Sequence, residues 1–175
     1  TRVPYTFEDG SDSIFFQGGY RSTYQNVNSN EAIIQGFSLN LVSDLNSNVS
    51  FKSTLNYTYG KNLTENTPLA HIPPIFGRSD FSYEIKKFLF DIYFNYAGWK
   101  HIDQMVTTGE DKEDEGTIYG FPGWYTINLN TVYSLNKYLD VQLAIENLTD
   151  NYYKSFASGV PASGINFVGT LRVKF

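Results

Sequence analysis

Seven stretches of this 175-residue chain alternate apolar and polar side chains with a period of two. In 164–175 the series is Ile165, Phe167, Leu171, Val173 and Phe175, with Gly169 in the remaining place. In 139–146 it is Leu139, Val141, Leu143 and Ile145, and in 125–135 it is Tyr125, Ile127, Leu129, Tyr133 and Leu135. Segment 88–98 places Phe88, Phe90, Ile92, Phe94 and Tyr96 on one side, and 79–86 places Phe81, Tyr83 and Ile85. Segment 48–60 carries Val49, Phe51, Leu55, Tyr57 and Tyr59, and 31–45 carries Ile33, Phe37, Leu39, Leu41 and Leu45. Side chains leave a strand on opposite faces in turn, so this period specifies strands with one apolar face and one polar face. An eighth candidate, Ile14 to Tyr24, is irregular, and no stretch holds a helical period.

The connections alternate too. From residue 31 onward a short turn at Asp44–Asn48 is followed by a long loop, 61–77. The Lys86-Lys87 turn precedes a second long loop, 101–122, and the Asn136-Lys137-Tyr138 turn precedes a third, 148–163. An up-and-down antiparallel sheet built this way has all its tight turns at one end and all its long loops at the other, the asymmetry of outer-membrane barrels. Strands of about 10–13 residues, against the usual ~5–6, point the same way. Tilted near 45°, ten residues at ~3.3 Å each rise ~23 Å, the height of such a barrel's apolar band. Tyr57, Tyr59, Tyr96, Trp99, Trp124, Tyr125, Tyr138 and Phe175 gather near strand ends, where belts at the two membrane interfaces need amphipathic rings. The expected fold is therefore an all-β, antiparallel, up-and-down transmembrane β-barrel, with seven or eight strands in this chain. Apolar sides meet lipid, while Lys52, Glu84, Asp91, Asp140, Glu146, Arg172 and Lys174 face a wet lumen. A soluble sandwich with the apolar side inward would make strand length, loop asymmetry and aromatic placement three separate coincidences.

Composition narrows the function. With 14 Tyr, 14 Phe and a net charge of −5, the chain is rich in strand formers and lacks the basic patch that a nucleic-acid partner requires. There is no cysteine, hence no disulfide framework and no thiolate metal site.

Segment 145–175, IENLTDNYYKSFASGVPASGINFVGTLRVKF, resembles the C-terminal end of TonB-dependent outer-membrane receptors, with Asn147-Leu148 after the penultimate strand, the Tyr152-Tyr153 pair opening the last loop, and the terminal Phe175. PLAHIPPIFGRSDFSYE, 68–84, resembles the loop that re-enters the barrel, through Ile72-Pro73-Pro74, and Asn28 to Gly36-Phe37 resembles another stretch of that family. The segments TRVPYTFEDGSDSIFFQG, HIPPIFG and FASGVPASG are similar to receptors of the Bacteroidetes type, although Gly164-Ile165 and Ser38 stand where relatives often carry Gly-Arg and an acidic residue. The resemblance implies that residues 1–175 are one segment, the C-terminal portion of a barrel in the outer membrane of a Gram-negative bacterium, with the plug and earlier strands lying before Thr1. It implies uptake of a bulky, scarce solute of the siderophore, cobalamin, oligosaccharide or peptide class, with no enzymatic step and no cofactor. The implied partners are outer-membrane lipid, the rest of the barrel and its plug, the TonB complex reached through that plug, the assembly machinery that reads Phe175, and a surface lipoprotein. The runner-up is a self-contained eight-stranded barrel with a structural or adhesive role, taking 13–27 as its first strand.

Candidate ligand contacts lie on the long loops, because rigid scaffolds present binding residues there. They are His71, His101, Tyr119 and Phe121; Trp124 is assigned to the upper aromatic belt. No spacing supports a metal site or a Ser/His/Asp constellation at the two histidines, and a barrel hydrolase using a rim histidine is the third reading. In the acidic run 109–116, twelve places counted from Asp111 end on Pro122, where a calcium-binding EF-hand loop requires Glu. Residues 110–115 are thus read as a solvated acidic stretch, with a looser cation site as the alternative.

Overall fold

The computed structural model describes residues 2–28 and 31–175; Thr1 and Ser29-Asn30, part of the Asn28–Gly36 stretch, lie outside the described residues. Its strands are β1 (Arg2–Pro4), β2 (Ser13–Phe16), β3 (Gly19–Ser22), β4 (Tyr24–Asn26), β5 (Ala32–Asp44), β6 (Val49–Asn62), β7 (Thr67–Pro68), β8 (Phe76–Ile85), β9 (Phe88–Ala97), β10 (Lys100–His101), β11 (Gly120–Phe121), β12 (Trp124–Asn136), β13 (Leu139–Glu146) and β14 (Asn166–Val173). Seven of them form one antiparallel sheet in the order β14-β13-β12-β9-β8-β6-β5, with the short β7 beside the end of β6. Among these seven strands each neighbour in the sheet is the next one along the chain, the up-and-down arrangement that the connections predict. The sheet is not closed: β5 and β14 each have a partner on one side only among the described residues.

The register sorts the two faces. One row runs Phe51, Phe81, Ile92, Leu129, Ile145 and Phe167, each opposite the next on adjacent strands. The next row, one residue away, runs Lys52, Asp80, Tyr93 and Asn128. Along β12 and β13 burial is inverted relative to a water-soluble protein, while on β6 Lys52 is exposed and Phe51 half-buried. Leu143, Phe167 and Leu171 are 64–71% exposed, whereas Asn128 and Asp140 are 3% and 6% exposed. The only fully buried apolar side chains among the described residues are Met105 and Phe121, both in the loop region.

The polar face is held by its own hydrogen bonds. Ser82 Oγ donates to Asp91 Oδ1 (2.7 Å), Gln142 Nε2 donates to Asn130 Oδ1 (2.9 Å), and Asp140 accepts Ser134 Oγ (2.9 Å) while pairing with Lys174 Nζ (2.7 Å). Arg78 lies 3.8 Å over the Tyr93 ring and grips Asp80 through Nε and Nη2. On the apolar face Gly77 leaves room for the Tyr96 ring, which a Cβ there would strike at 2.6–2.8 Å. Tyr57, Tyr59, Tyr96 and Tyr125 stand on this face near the loop end, and Tyr83, Phe88 and Tyr133 near the turn end, as two interfacial belts require.

The tight turns are fixed by asparagine side chains. Asn46 Oδ1 accepts the backbone N–H groups of Asn48 (2.9 Å) and Val49 (3.0 Å), and Asn136 Oδ1 accepts that of Tyr138 (2.8 Å). Lys86, in the third turn, takes φ +54°.

Three expectations change. Residues 13–27 do not supply an eighth strand of the sheet: β2 pairs only with β3 across a two-residue Gln17-Gly18 turn, and β4 pairs with β1. Self-pairing satisfies their backbone groups within the connection itself, which removes the basis of the self-contained eight-stranded reading. The strand expected over 79–86 begins at Phe76, directly after Pro73-Pro74, where Ile75 accepts the Gly98 N–H (2.7 Å). Trp124 shares the inward register of Thr126 and Asn128 and so does not belong to the outer belt.

In the assembled barrel, Leu143→Arg is expected to cost about 2–4 kcal/mol near the bilayer midplane. Gln142→Arg, on the polar face, costs about 1 kcal/mol or less, the worth of one hydrogen bond to Asn130. Denaturant titration of the intact protein refolded into vesicles measures both, and equal penalties on the two faces would contradict this assignment.

Candidate ligand-binding site

The long connections lie at one end of the sheet and are tied down from beneath. Asn147, which ends β13, is buried, with φ +49°. Its N–H donates to Asn128 Oδ1 (2.9 Å), its Oδ1 accepts the Asn151 N–H (3.0 Å), and its Nδ2 donates to the carbonyls of Asn151 (2.9 Å) and Ser163 (3.1 Å). One side chain therefore joins both feet of the last loop to the wall. Asp150 Oδ1 adds a bond from the Ile165 N–H (2.9 Å).

The loops are also tied to one another. Asp111, fully buried, accepts the His71 N–H (2.7 Å) from the first long loop and the Val106 N–H (3.1 Å) from its own. Lys154 Nζ reaches Glu115 Oε2 (2.9 Å), joining the last loop to the second, and Arg2 Nη1 donates to the Thr108 carbonyl (3.0 Å). Lys100 is almost wholly buried, with its ammonium 5.4 Å above the Phe156 ring. Burial pushes that ammonium below the ordinary lysine range, and Asp111 offsets part of the effect. The Lys154 ammonium holds the Glu115 carboxyl below the usual range through a hydrogen bond and its charge.

Beneath these loops, on the polar side of the sheet, lies a groove of about 430 Å³. Its floor is the wall itself, Asn56, Phe76, Arg78, Asn95 and Trp124, and its upper edge is formed by Pro73-Pro74 and Phe156 from two loops. Trp124 stacks on Tyr153 at 4.1 Å and Phe156 meets Phe121 edge-on at 5.7 Å, so these two groove rings are each backed by a second ring. Ile72 packs where a Cβ on Gly60 would stand, at 2.8 Å, which brings the Ile72-Pro73-Pro74 segment down against β6.

The residues expected to meet ligand are only partly gathered. His101 stacks on Trp99 (5.5 Å), and Trp99 Nε1 donates to the Tyr119 backbone carbonyl (3.3 Å), which places His101 and the exposed Tyr119 beside the same tryptophan at the rim. His71 lies apart, with its side chain 70% exposed and its ring 4.0 Å from Asp111. Phe121, expected to face ligand, is 2% exposed and packs under Phe156. Among the described residues no three His, Asp or Glu side chains are grouped as metal ligands, and the acidic run is engaged in loop contacts: Glu113 Oε1 accepts the Gly109 N–H and Glu110 Oε2 the Thr108 hydroxyl.

A family model described as TonB dependent receptor-like, beta-barrel, matches residues 5–148. The chain belongs to the TonB-dependent receptor family. Receptor barrels of this kind reside in the outer membrane of Gram-negative bacteria, and members of the family are transporters rather than enzymes. Among solved structures the chain is similar to the copper transporter OprC, with TM-score 0.77 and 20% identity over 94% of this chain and 27% of that one. It is also similar to the ferric yersiniabactin uptake receptor FyuA from Yersinia pestis, with TM-score 0.59 and 13% identity over 82% of this chain and 24% of that one. At these identities the likeness is one of fold, and the chain spans about a quarter of either receptor's length. No curated protein matches the chain. The match is to the receptor family as a whole and does not single out its Bacteroidetes type.

Sequence reasoning missed Phe76, Arg78, Asn95 and Phe156 in this receptor's groove. A period-2 count carried back from Asp80 through Arg78 to Phe76 would have found two of them. Phe156 lies in a loop and carries no such signal.

Asn147→Gly keeps the positive φ accessible and removes only the side chain. It is expected to destabilise the last loop by about 1–3 kcal/mol, the cost of unpaired buried backbone groups, and faster proteolysis within 148–163 on intact cells measures this. The Glu115–Lys154 tie depends on pH in a defined sense. Because the carboxyl is depressed in the folded loops, its contribution is full above the ordinary carboxylate range, near ~4.3, and is lost as pH falls through the lower folded value. Amide exchange in the last loop should therefore accelerate below that range, and Glu115→Gln should abolish the added pH dependence.

Proposed function

We propose that this chain is the C-terminal portion of the barrel of a receptor that imports a bulky, scarce solute across the outer membrane, driven by TonB through a plug. The observation that carries this reading is the groove on the polar side of the wall, roofed by loops that are latched to one another while the opposite face is apolar. Strands supplied from elsewhere in the same protein would pair with the free edges of β5 and β14, and the plug would occupy the lumen below the groove. His101 and Tyr119, beside Trp99 at the rim, are the residues of first encounter, with His71 at the neighbouring loop. Phe121 acts from below by fixing Phe156. The names of OprC and FyuA, a copper transporter and a ferric yersiniabactin uptake receptor, support uptake of a scarce nutrient as the general activity. Under the same proposal Phe175, exposed after β14, is the aromatic that the assembly machinery would read. A surface lipoprotein over the loops belongs to the same proposal.

Mass spectrometry of spent medium tests the function. Cells carrying the full-length receptor are expected to deplete a solute too large for porins, and depletion should fall to background when TonB is deleted or when residues 148–163 are excised. Equal depletion by a receptor-null strain would overturn the proposal.

A further inference from the structure

We infer that the groove between the wall and the loops recognises a neutral, hydroxyl-rich ring, the chemistry of a saccharide, and not an anionic chelate. This inference rests on the transport reading and deepens it. The lining offers three kinds of chemistry.

First, aromatic platforms. Trp124 is braced by Tyr153 at 4.1 Å and lines the groove, and Phe76 and Phe156 supply further ring surface. The C–H faces of a sugar ring are apolar while its edge is polar, so a braced aromatic ring takes the face and leaves the hydroxyls to side chains around it.

Second, planar amides. Asn95 has no hydrogen-bond partner for its side-chain amide among the described residues, although the residue is half-buried. Asn56 uses only its oxygen, accepting from Ser38 Oγ at 2.8 Å, which leaves its NH₂ donors unused. An amide presents a donor and an acceptor side by side and matches a vicinal diol, whose two hydroxyls can each give and take a bond.

Third, charge. Among the described residues Arg78 is the only charged one lining the groove, and its charge is already met. Nε lies 2.9 and 3.0 Å from the two Asp80 oxygens and Nη2 lies 2.6 Å from Oδ1, while the guanidinium plane rests on Tyr93. An anion entering here would find no unpaired cation and would have the Asp80 carboxylate beside it. A neutral ligand incurs neither cost and can still accept from the Arg78 N–H groups that Asp80 leaves free.

The test uses the full-length receptor purified in detergent. It is applied to an array of neutral oligosaccharides spanning malto-, cello-, xylo- and manno-series, with ferric citrate as the anionic probe. The expected result is binding of at least one neutral series, unchanged between low and high salt because no net charge is neutralised. Trp124→Ala should weaken it about tenfold and Asn95→Ala about two- to tenfold. Trp124→Phe, which keeps a ring against Tyr153, should retain most of the binding and guards against misfolding, which the heat-dependent gel mobility of the barrel checks independently. Absence of binding across the array overturns the inference, as does binding indifferent to Trp124→Ala, or a preference for ferric citrate that weakens with salt. A receptor that ignores the array yet still depletes a solute in a TonB-dependent way leaves the transport reading standing and removes only this inference.

Discussion

Hydrocarbon offers a peptide group nothing to bond with, and every unpaired N–H or C=O placed in it costs several kcal/mol. A chain that crosses with strands must therefore pair each strand on both sides, which here selects long, neighbour-to-neighbour antiparallel strands and leaves two edges for other strands to fill. Once the backbone is so committed, the side-chain period of two leaves only a choice of which residues go to which solvent. The row from Phe51 to Phe167 stands on the face proposed to meet lipid, and the row of Lys52, Asp80, Tyr93 and Asn128 stands on the other. Polar groups on the inner face are not free either. The pairs Ser82–Asp91, Asn130–Gln142 and Asp140–Lys174 bond across strands and fix the same register that the apolar face requires.

That wall makes a loop site possible. Tight turns at one end need nothing beyond an asparagine that closes on its own backbone, as Asn46 and Asn136 do. The long connections at the other end would be mobile if they were held only by their ends. Asn147 and Asp111 change this by converting side-chain oxygens and amides into backbone partners for distant segments, at positions where water is excluded and such bonds are stronger. Phe121 and Met105, the fully buried apolar residues, sit here and give the loops a small core of their own.

The wall was legible from sequence because two constraints, lipid outside and pairing within, both write themselves as a period of two. Strand order, turn positions and the inverted burial of Leu143 and Asp140 follow from it. The same period also places Trp124 with Thr126 and Asn128, so its assignment to the belt failed through attention to residue type over parity. The hairpin of β2 and β3 was not legible as such: Phe15-Phe16 reads as strand, and only the φ values of +49° and +84° at Gln17-Gly18 show that the chain turns back on itself. In the loops the pattern ends. Phe121 and Tyr119 look equally available in the sequence, yet one is buried under Phe156 and the other is 66% exposed, because loop burial depends on which distant segments meet.

The groove exists only where these two kinds of order overlap. Trp124, Asn95 and Arg78 are held by the wall, but Phe156 and Pro73-Pro74 arrive with loops whose docking depends on Asn147, on Asp111 and on the Glu115–Lys154 pair. A ligand that needs both sets binds only the docked arrangement, and its apparent affinity is scaled by the fraction of receptors in that arrangement. Binding must in turn stabilise the docked loops by the same free energy. Under the proposed function, residues that touch no ligand thus govern its capture. Asn147 does so through backbone geometry, the Glu115–Lys154 pair does so through charge, and only the second contribution varies with pH.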